Sequence, residues 1–130
     1  KNGDVVEVLE DNFSEIGFEN DFEFLRFADF NLKTRYLNKS RTHLKKAKAI
    51  TVNTVHGSET SISKIVKRES PEIESMEGAS VFKVCQEMGI SCIQIRSISN
   101  KVEKRNKNNW DLDLAITNLN IEVEKVINNL

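Results

Sequence analysis

The chain has 130 residues, of which 38% are apolar and 30% charged, a balance that suits one globular domain with its own core. Nineteen basic and 20 acidic side chains leave a net charge of −1, which offers no broad positive field to a nucleic acid. No apolar run approaches the ~18 residues of a membrane span, and two cysteines make no disulfide framework. Composition therefore excludes membrane, fibrous and secreted classes. It leaves the cytoplasm as the expected compartment, with neither nucleic acid nor membrane as partner.

In chain order, residues 3–9 (GDVVEVL) read as a strand, followed by a polar stretch containing Asn12, Gly17 and Asn20. Residues 22–30 (FEFLRFADF) are aromatic-rich and fit either a short helix or a packed loop. Residues 39–48 carry Lys39, Arg41, His43, Lys45, Lys46 and Lys48 and read as a solvated surface loop. The β-branched run that closes residues 45–55 predicts a buried strand, which His56-Gly57-Ser58 breaks. Ser58 then caps a predicted helix that ends at Arg68. After Pro71, residues 72–76 are a short extended segment.

The next part has the clearest periodicity. Val81, Val84, Cys85 and Met88 recur at helical spacing between Gly78 and Gly89, and Gly89 supplies a stop. Residues 90–99 (ISCIQIRSIS) alternate as a strand. A charged loop, 100–109, leads to a long amphipathic helix marked by Leu112, Ala115, Leu119, Val123, Val126 and Leu130, with Trp110 at its start. Strands alternating with helices predict an α/β fold: a mixed or mostly parallel sheet with flanking helices, in three layers. About four strands are too few for a sheet covered on both faces. The expectation is one domain over residues 1–130 that forms the C-terminal portion of a larger enzyme, incomplete at its N-terminal side.

Ligands of open α/β sheets gather at the carboxyl ends of strands. Three such ends carry polar residues: His56-Gly57-Ser58, Ser75-Met76-Glu77 and Ser99-Asn100, and in a parallel sheet all three open on one rim. Glu77 admits two readings, a helix-start carboxylate favoured by the dipole or an acceptor for the two hydroxyls of a vicinal diol. Cys85 and Cys92 fall on apolar faces and read as core. No His, Cys or carboxylate spacing suggests a metal.

Ser75-Met76-Glu77-Gly78-Ala79-Ser80, Val84-Cys85 and Ile95-Arg96-Ser97-Ile98-Ser99-Asn100 together resemble the signature of the purine nucleoside phosphorylase and nucleosidase superfamily. Its methylthioadenosine/S-adenosylhomocysteine nucleosidase branch has a Met-Glu-Gly/Ala element, an apolar helix, and a strand ending Arg-x-(Ile/Leu)-Ser-Asp. Residues 50–59 (ITVNTVHGSE) resemble the same family's strand and base-side loop. Gly3-Asp4-Val5-Val6 with residues 12–17 (NFSEIG) looks closest to the futalosine hydrolase subfamily.

The resemblance implies roles residue by residue. Met76 would pack beneath a ribose, Glu77 would accept its 2′- and 3′-hydroxyls, and Arg96 would help position the attacking water. Asn100 would face the purine N7, with Ser99 orienting it from behind. Ser75, His56, Gly57 and Ser58 would line the substrate. Such a set answers N-glycosidic cleavage, which builds positive charge on the ribosyl ring and negative charge on the base. Asn100 departs from the Asp of the adenine-specific branch. An amide offers both a donor and an acceptor, which suits a 6-oxopurine better than adenine. The family's general-base Glu and its early Gly-rich loop have no counterpart, and Glu10, Asp11 and Glu15 do not replace that base.

The expected function is thus hydrolysis of a purine nucleoside, futalosine to hypoxanthine above others, on the route to menaquinone, with no cofactor and no metal. The alternatives are a methylthioadenosine/S-adenosylhomocysteine nucleosidase, a phosphate-dependent purine nucleoside phosphorylase, and a non-catalytic nucleoside- or subunit-binding piece. A homo-oligomer, dimer or larger, is expected, with Phe22, Phe24, Phe27 and Phe30 as the candidate interface.

Overall fold

The strand over Val5–Phe13 (β1) organises everything else, and a computed structural model describes it together with the rest of residues 1–129. Leu130, expected to end the last helix, lies outside the described residues. The strand runs four residues past the Leu9 limit read from sequence. The reason is that its second half carries Asp11 and Asn12, polar residues that are nonetheless buried.

The other strands assemble around β1. Lys45–Thr51 (β5) pairs with it in parallel along one edge, and Ile73–Ser75 (β6) pairs in parallel with β5. Along the other edge two short strands follow one another, both antiparallel. Arg35–Leu37 (β4) pairs with Glu10 to Asn12, and Gln94–Ser97 (β7) pairs with Val5 to Val8. Gly17–Glu19 (β2) and Phe24–Arg26 (β3) form a separate hairpin. The expected α/β class with a mixed sheet therefore holds, but the described residues form seven strands rather than four, among them β4 inside a stretch with no strand signal.

A bulge sets the faces of the sheet. The β1–β5 register shifts between Val8 and Glu10, so one extra residue sits in β1. Side chains alternate along a strand, and an inserted residue reverses the alternation beyond it. Val8, Asp11 and Phe13 thereby share a face with Ala49 and Thr51 of β5. The helix Gly78–Glu87 (α2) covers that face: Phe82 and Ala79 are fully buried against Val8, Ala49 and Tyr36. The helix Glu59–Glu69 (α1) covers the opposite face through Ile65, which packs on Ile50 and Val52. The helix Leu112–Ile127 (α3) lies along β7 and the start of β1.

Helix ends follow local chemistry. Ser58 caps α1 by accepting the Ser61 N–H at 3.2 Å, as its position predicted. Gly89, just past α2, has φ +67°, a conformation glycine adopts freely. Asp111, not Trp110, starts α3 by accepting the Leu114 N–H at 3.1 Å; Trp110 instead lies under the Arg105 guanidinium. The aromatic stretch resolves into β3 and a turn of 3₁₀ helix at Phe27–Phe30, with the Phe27 and Phe30 rings gathered round Phe18. Phe22 is almost wholly exposed.

The basic stretch is less solvated than its composition suggests, because one buried carboxylate holds it. Glu7 accepts the backbone N–H of Arg41 at 2.9 Å and of Thr42 at 3.2 Å, the Thr42 hydroxyl at 2.8 Å and Lys46 Nζ at 2.6 Å. Burial pushes the Glu7 carboxyl up, but Lys46 and these donors together hold it below its ordinary value. A depressed carboxyl stabilises the fold above its unfolded-state pKa, and that contribution disappears as pH falls through the folded value. Glu7→Gln should therefore cost about 2 kcal/mol at pH 7. In urea unfolding, the gap from wild type should shrink as pH falls below the usual carboxylate range near about 4. Equal stability at pH 7 would contradict the clamp.

Candidate functional site

The carboxyl end of β6 passes straight into α2, and Met76 and Glu77 occupy the junction. Both are exposed, Met76 at 47%. Glu77 is the N-cap residue of α2, yet its side chain caps nothing. The cap is supplied from behind, where Ser75 Oγ accepts the Gly78 N–H at 3.4 Å. Glu77 makes no capping hydrogen bond but sits beside the positive end of the helix, where both the dipole-favoured helix-start carboxylate and the diol acceptor remain open. Its charged neighbour is Arg96 of β7, whose guanidinium lies 3.8 Å away.

Arg96 is held from below by a buried polar chain. Its Nε donates to Gln94 Oε1 at 2.9 Å, and Gln94 Nε2 donates to Asp11 Oδ2 at 3.2 Å. Asp11 Oδ1 accepts the Thr51 hydroxyl at 2.9 Å, and Thr51 Oγ1 accepts the Ala79 N–H of α2 at 2.8 Å. Asp11 has no exposed surface. Burial pushes its carboxyl above the ordinary value, while Thr51, Gln94 and the Arg96 charge pull it back. The chain of contacts closes from β1 through β5 and β7 to both sides of the Met76-Glu77 junction.

The other expected site residues fall differently. His56 is pinned by Glu74 of β6, which accepts both its backbone N–H at 3.0 Å and, through the other oxygen, its ring Nδ1. Gly57 meets no neighbour that a Cβ would touch, and Ser58 is occupied as the cap of α1. Glu15 clamps the backbone N–H groups of Asn53 and Thr54. Ser99 donates to Asn100 Oδ1 at 2.8 Å, while Asn100 Nδ2 donates to the Lys101 carbonyl at 3.0 Å.

The expectation of a single rim is corrected by the direction of β7. It runs antiparallel to β1, so its carboxyl end, with Ser99 and Asn100, sits at the amino end of β1. The bonds of Ile98 with Asp4 and Gly3 continue that pairing. Strands β5 and β6 end beside Phe13, at the other end of β1. Glu77 and Arg96 are brought together, with Met76 next to Glu77 in the chain; Asn100 lies four residues beyond Arg96, past the end of β7 at Ser97. A concavity of about 770 Å³ lies between α1 and the 101–109 loop, lined by Ile62, Val66, Lys101, Arg105 and Asn109. Among the described residues no group of His, Cys, Asp and Glu could hold a metal ion. No described helix is long and apolar enough to cross a membrane.

Sequence reasoning missed Asp11, Thr51 and Gln94, and one signal could have found them: Gly78. A Cβ at Gly78 would lie 2.0 Å from Asp11 Oδ2 and 2.4 Å from Gln94 Oε1, so the polar chain fits only against glycine. Gly78→Ala should cost about 3 kcal/mol, an overpacking penalty larger than alanine's gain in helix propensity. Thermal unfolding checks it: a melting temperature equal to or above that of wild type would show that the close approach is not a constraint.

Comparison with known proteins agrees with the fold. The model of the Phosphorylase superfamily matches residues 15–128. No curated protein matches the chain by sequence. Among solved structures, the fold is similar to 5′-methylthioadenosine/S-adenosylhomocysteine nucleosidase of Neisseria meningitidis in complex with methylthio-immucillin-A, at TM-score 0.76 and 16% identity. It is also similar to a mutant of the Helicobacter pylori enzyme of that name with 5′-methylthioadenosine in its active site (0.80, 18%), and to H. pylori futalosine hydrolase (0.73, 17%). Each alignment covers 100% of this chain but 63%, 62% and 62% of the respective relative, so the chain spans a little over three-fifths of their length. With the family model covering all but its first 14 and last two residues, the chain belongs to the phosphorylase superfamily.

Proposed function

We propose that the chain carries the ribose and base side of a nucleosidase that hydrolyses the N-glycosidic bond of a 6-oxopurine nucleoside, futalosine above others. The carrying observation is the pairing of Glu77 with Arg96: an exposed carboxylate at a helix start that caps nothing, 3.8 Å from a guanidinium. A carboxylate there can accept both hydroxyls of a vicinal diol, and Met76 beside it offers an apolar floor for the sugar. As positive charge builds on the ribosyl ring, the carboxylate gains interaction strength in the transition state. Arg96 holds the geometry and is placed to orient a water at the sugar.

A nucleoside whose ribose sits at Glu77 would lie along β7, with its base directed toward Asn100. The amide of Asn100, whose oxygen accepts from Ser99, would donate an N–H to N7, where an acid of the adenine-specific branch would deliver a proton. In this reading His56, on its Glu74 support, and the 101–109 loop would contact the far part of the substrate. The assembly is a homo-oligomer in this reading, with the Phe22 hairpin tip at the interface.

The test is base release from futalosine, inosine and methylthioadenosine, each with and without phosphate. Hypoxanthine release from futalosine without phosphate is the expected result. A strict phosphate requirement would make the chain a phosphorylase, and no release from any substrate would make it a binding piece. Glu77→Gln should lower turnover about 10²-fold, as for other lost preorganised charge contacts; near-normal turnover would remove Glu77 from the site. Asn100→Asp should move preference from hypoxanthine toward adenine nucleosides, and an unchanged preference would remove Asn100 from the base.

A further inference from the structure

The two ends of the buried polar chain can only donate. Arg96 has five N–H groups and no acceptor, so Gln94 must turn its carbonyl oxygen toward Arg96 and its NH₂ toward Asp11. At the other end the Ala79 backbone N–H donates to Thr51 Oγ1, which leaves the Thr51 hydrogen for Asp11. Both neighbours therefore present hydrogens to Asp11, and each of its two oxygens must accept. A carboxylate does this with nothing left over; an amide would meet one neighbour hydrogen to hydrogen, and a protonated acid would add a buried O–H that neither neighbour can accept.

From this forced polarity we infer that Asp11 is a positioning residue for the site at the Met76-Glu77 junction. Its carboxylate fixes Arg96 through Gln94 and the start of α2 through Thr51. The inference rests on the reading of Glu77 and Arg96 given above, and it adds a residue that touches neither substrate nor water. The bulge in β1 brings Asp11 to the α2 face, and Gly78 lets it approach. Coupling of the two limbs through one buried charge explains why an acidic residue with no exposed surface is kept in the central strand, where an apolar side chain would pack at lower cost.

The closing experiment uses the whole chain and two variants. Gln94→Met removes the link to Arg96. The double variant Asp11→Asn with Gln94→Glu exchanges amide and carboxylate and keeps the net charge. In it, the amide at position 11 donates to the carboxylate at position 94 and accepts from Thr51. That relocated carboxylate also accepts from Arg96, so the order of donors and acceptors is restored. The readouts are hydrogen-exchange protection of the Arg96 Nε–H, assigned by its loss in Arg96→Lys, and hypoxanthine release.

In wild type the Nε–H should be protected. Gln94→Met should lose that protection and about 10-fold in kcat, with KM moving less, as for a lost contact to a positioned group. The double variant should keep protection and stay within about 3-fold of wild type, because coupled neighbours compensate where independent ones add. A freely exchanging Nε–H in wild type overturns the proposal without any variant. So does a double variant no better than Gln94→Met, or a protected Nε–H in Gln94→Met. Protection that follows this pattern while wild type releases no base would sink the proposed reaction and leave the relay standing; release with an unprotected Nε–H would do the reverse.

Discussion

A single carboxylate without solvent contact, Asp11, joins the parts of the molecule that form its candidate site. It sits on the central strand, receives a hydroxyl from β5 and an amide from β7, and through them reaches the first turn of α2 and the guanidinium of Arg96. A buried charge is expensive to hold without partners. Each of its oxygens has one, and the partners are themselves fixed, so the arrangement has one self-consistent order. Glu7 plays the corresponding part at the other half of β1, where it ties the 40–46 segment to the sheet with five donors. The central strand thus mixes apolar anchors, Val6 and Val8, with acids that organise loops rather than fill space.

This mixture decides how much of the fold could be read in the sequence. The extents of α1 and α2 were legible because Ser58 and Gly89 stand where a start and a stop should stand, but the buried side of α2 was not: Val81, Val84 and Met88, the stripe read from spacing, are exposed, and Phe82 and Ala79 are buried instead. The Met76-Glu77 junction and Arg96 were legible as motif residues, and the structure brings them within reach of each other. The second half of β1 was not legible, because burial there is achieved with Asp11 and Asn12 rather than with apolar residues. Strand β4 was hidden for a related reason: only Tyr36 of its three residues is buried. An antiparallel β7 follows α2 with no local signal of its direction, since alternation reports faces and not orientation.

The direction of β7 changes the shape of the candidate site more than its membership. Instead of a ring of strand ends on one rim, the residues form a line: Glu77 with Arg96, then the run of β7 toward Ser99 and Asn100. In the proposed reading the diol of a nucleoside sits at the Glu77 end of this line and the base points toward Asn100. The chain belongs to the phosphorylase superfamily and shares the fold of two kinds of nucleosidase, of whose length it spans about three-fifths.

Backbone ¹H–¹⁵N spectra of the chain titrated with inosine are the most direct test, because they report where a nucleoside sits whether or not the chain turns it over. Shifts are expected on two segments at once, Met76 to Ala79 and Arg96 to Asn100, with Gln94 following through its bond to Arg96. Shifts confined to the groove between α1 and the 101–109 loop, or no shifts at millimolar inosine, would contradict the placement of the ribose at Glu77.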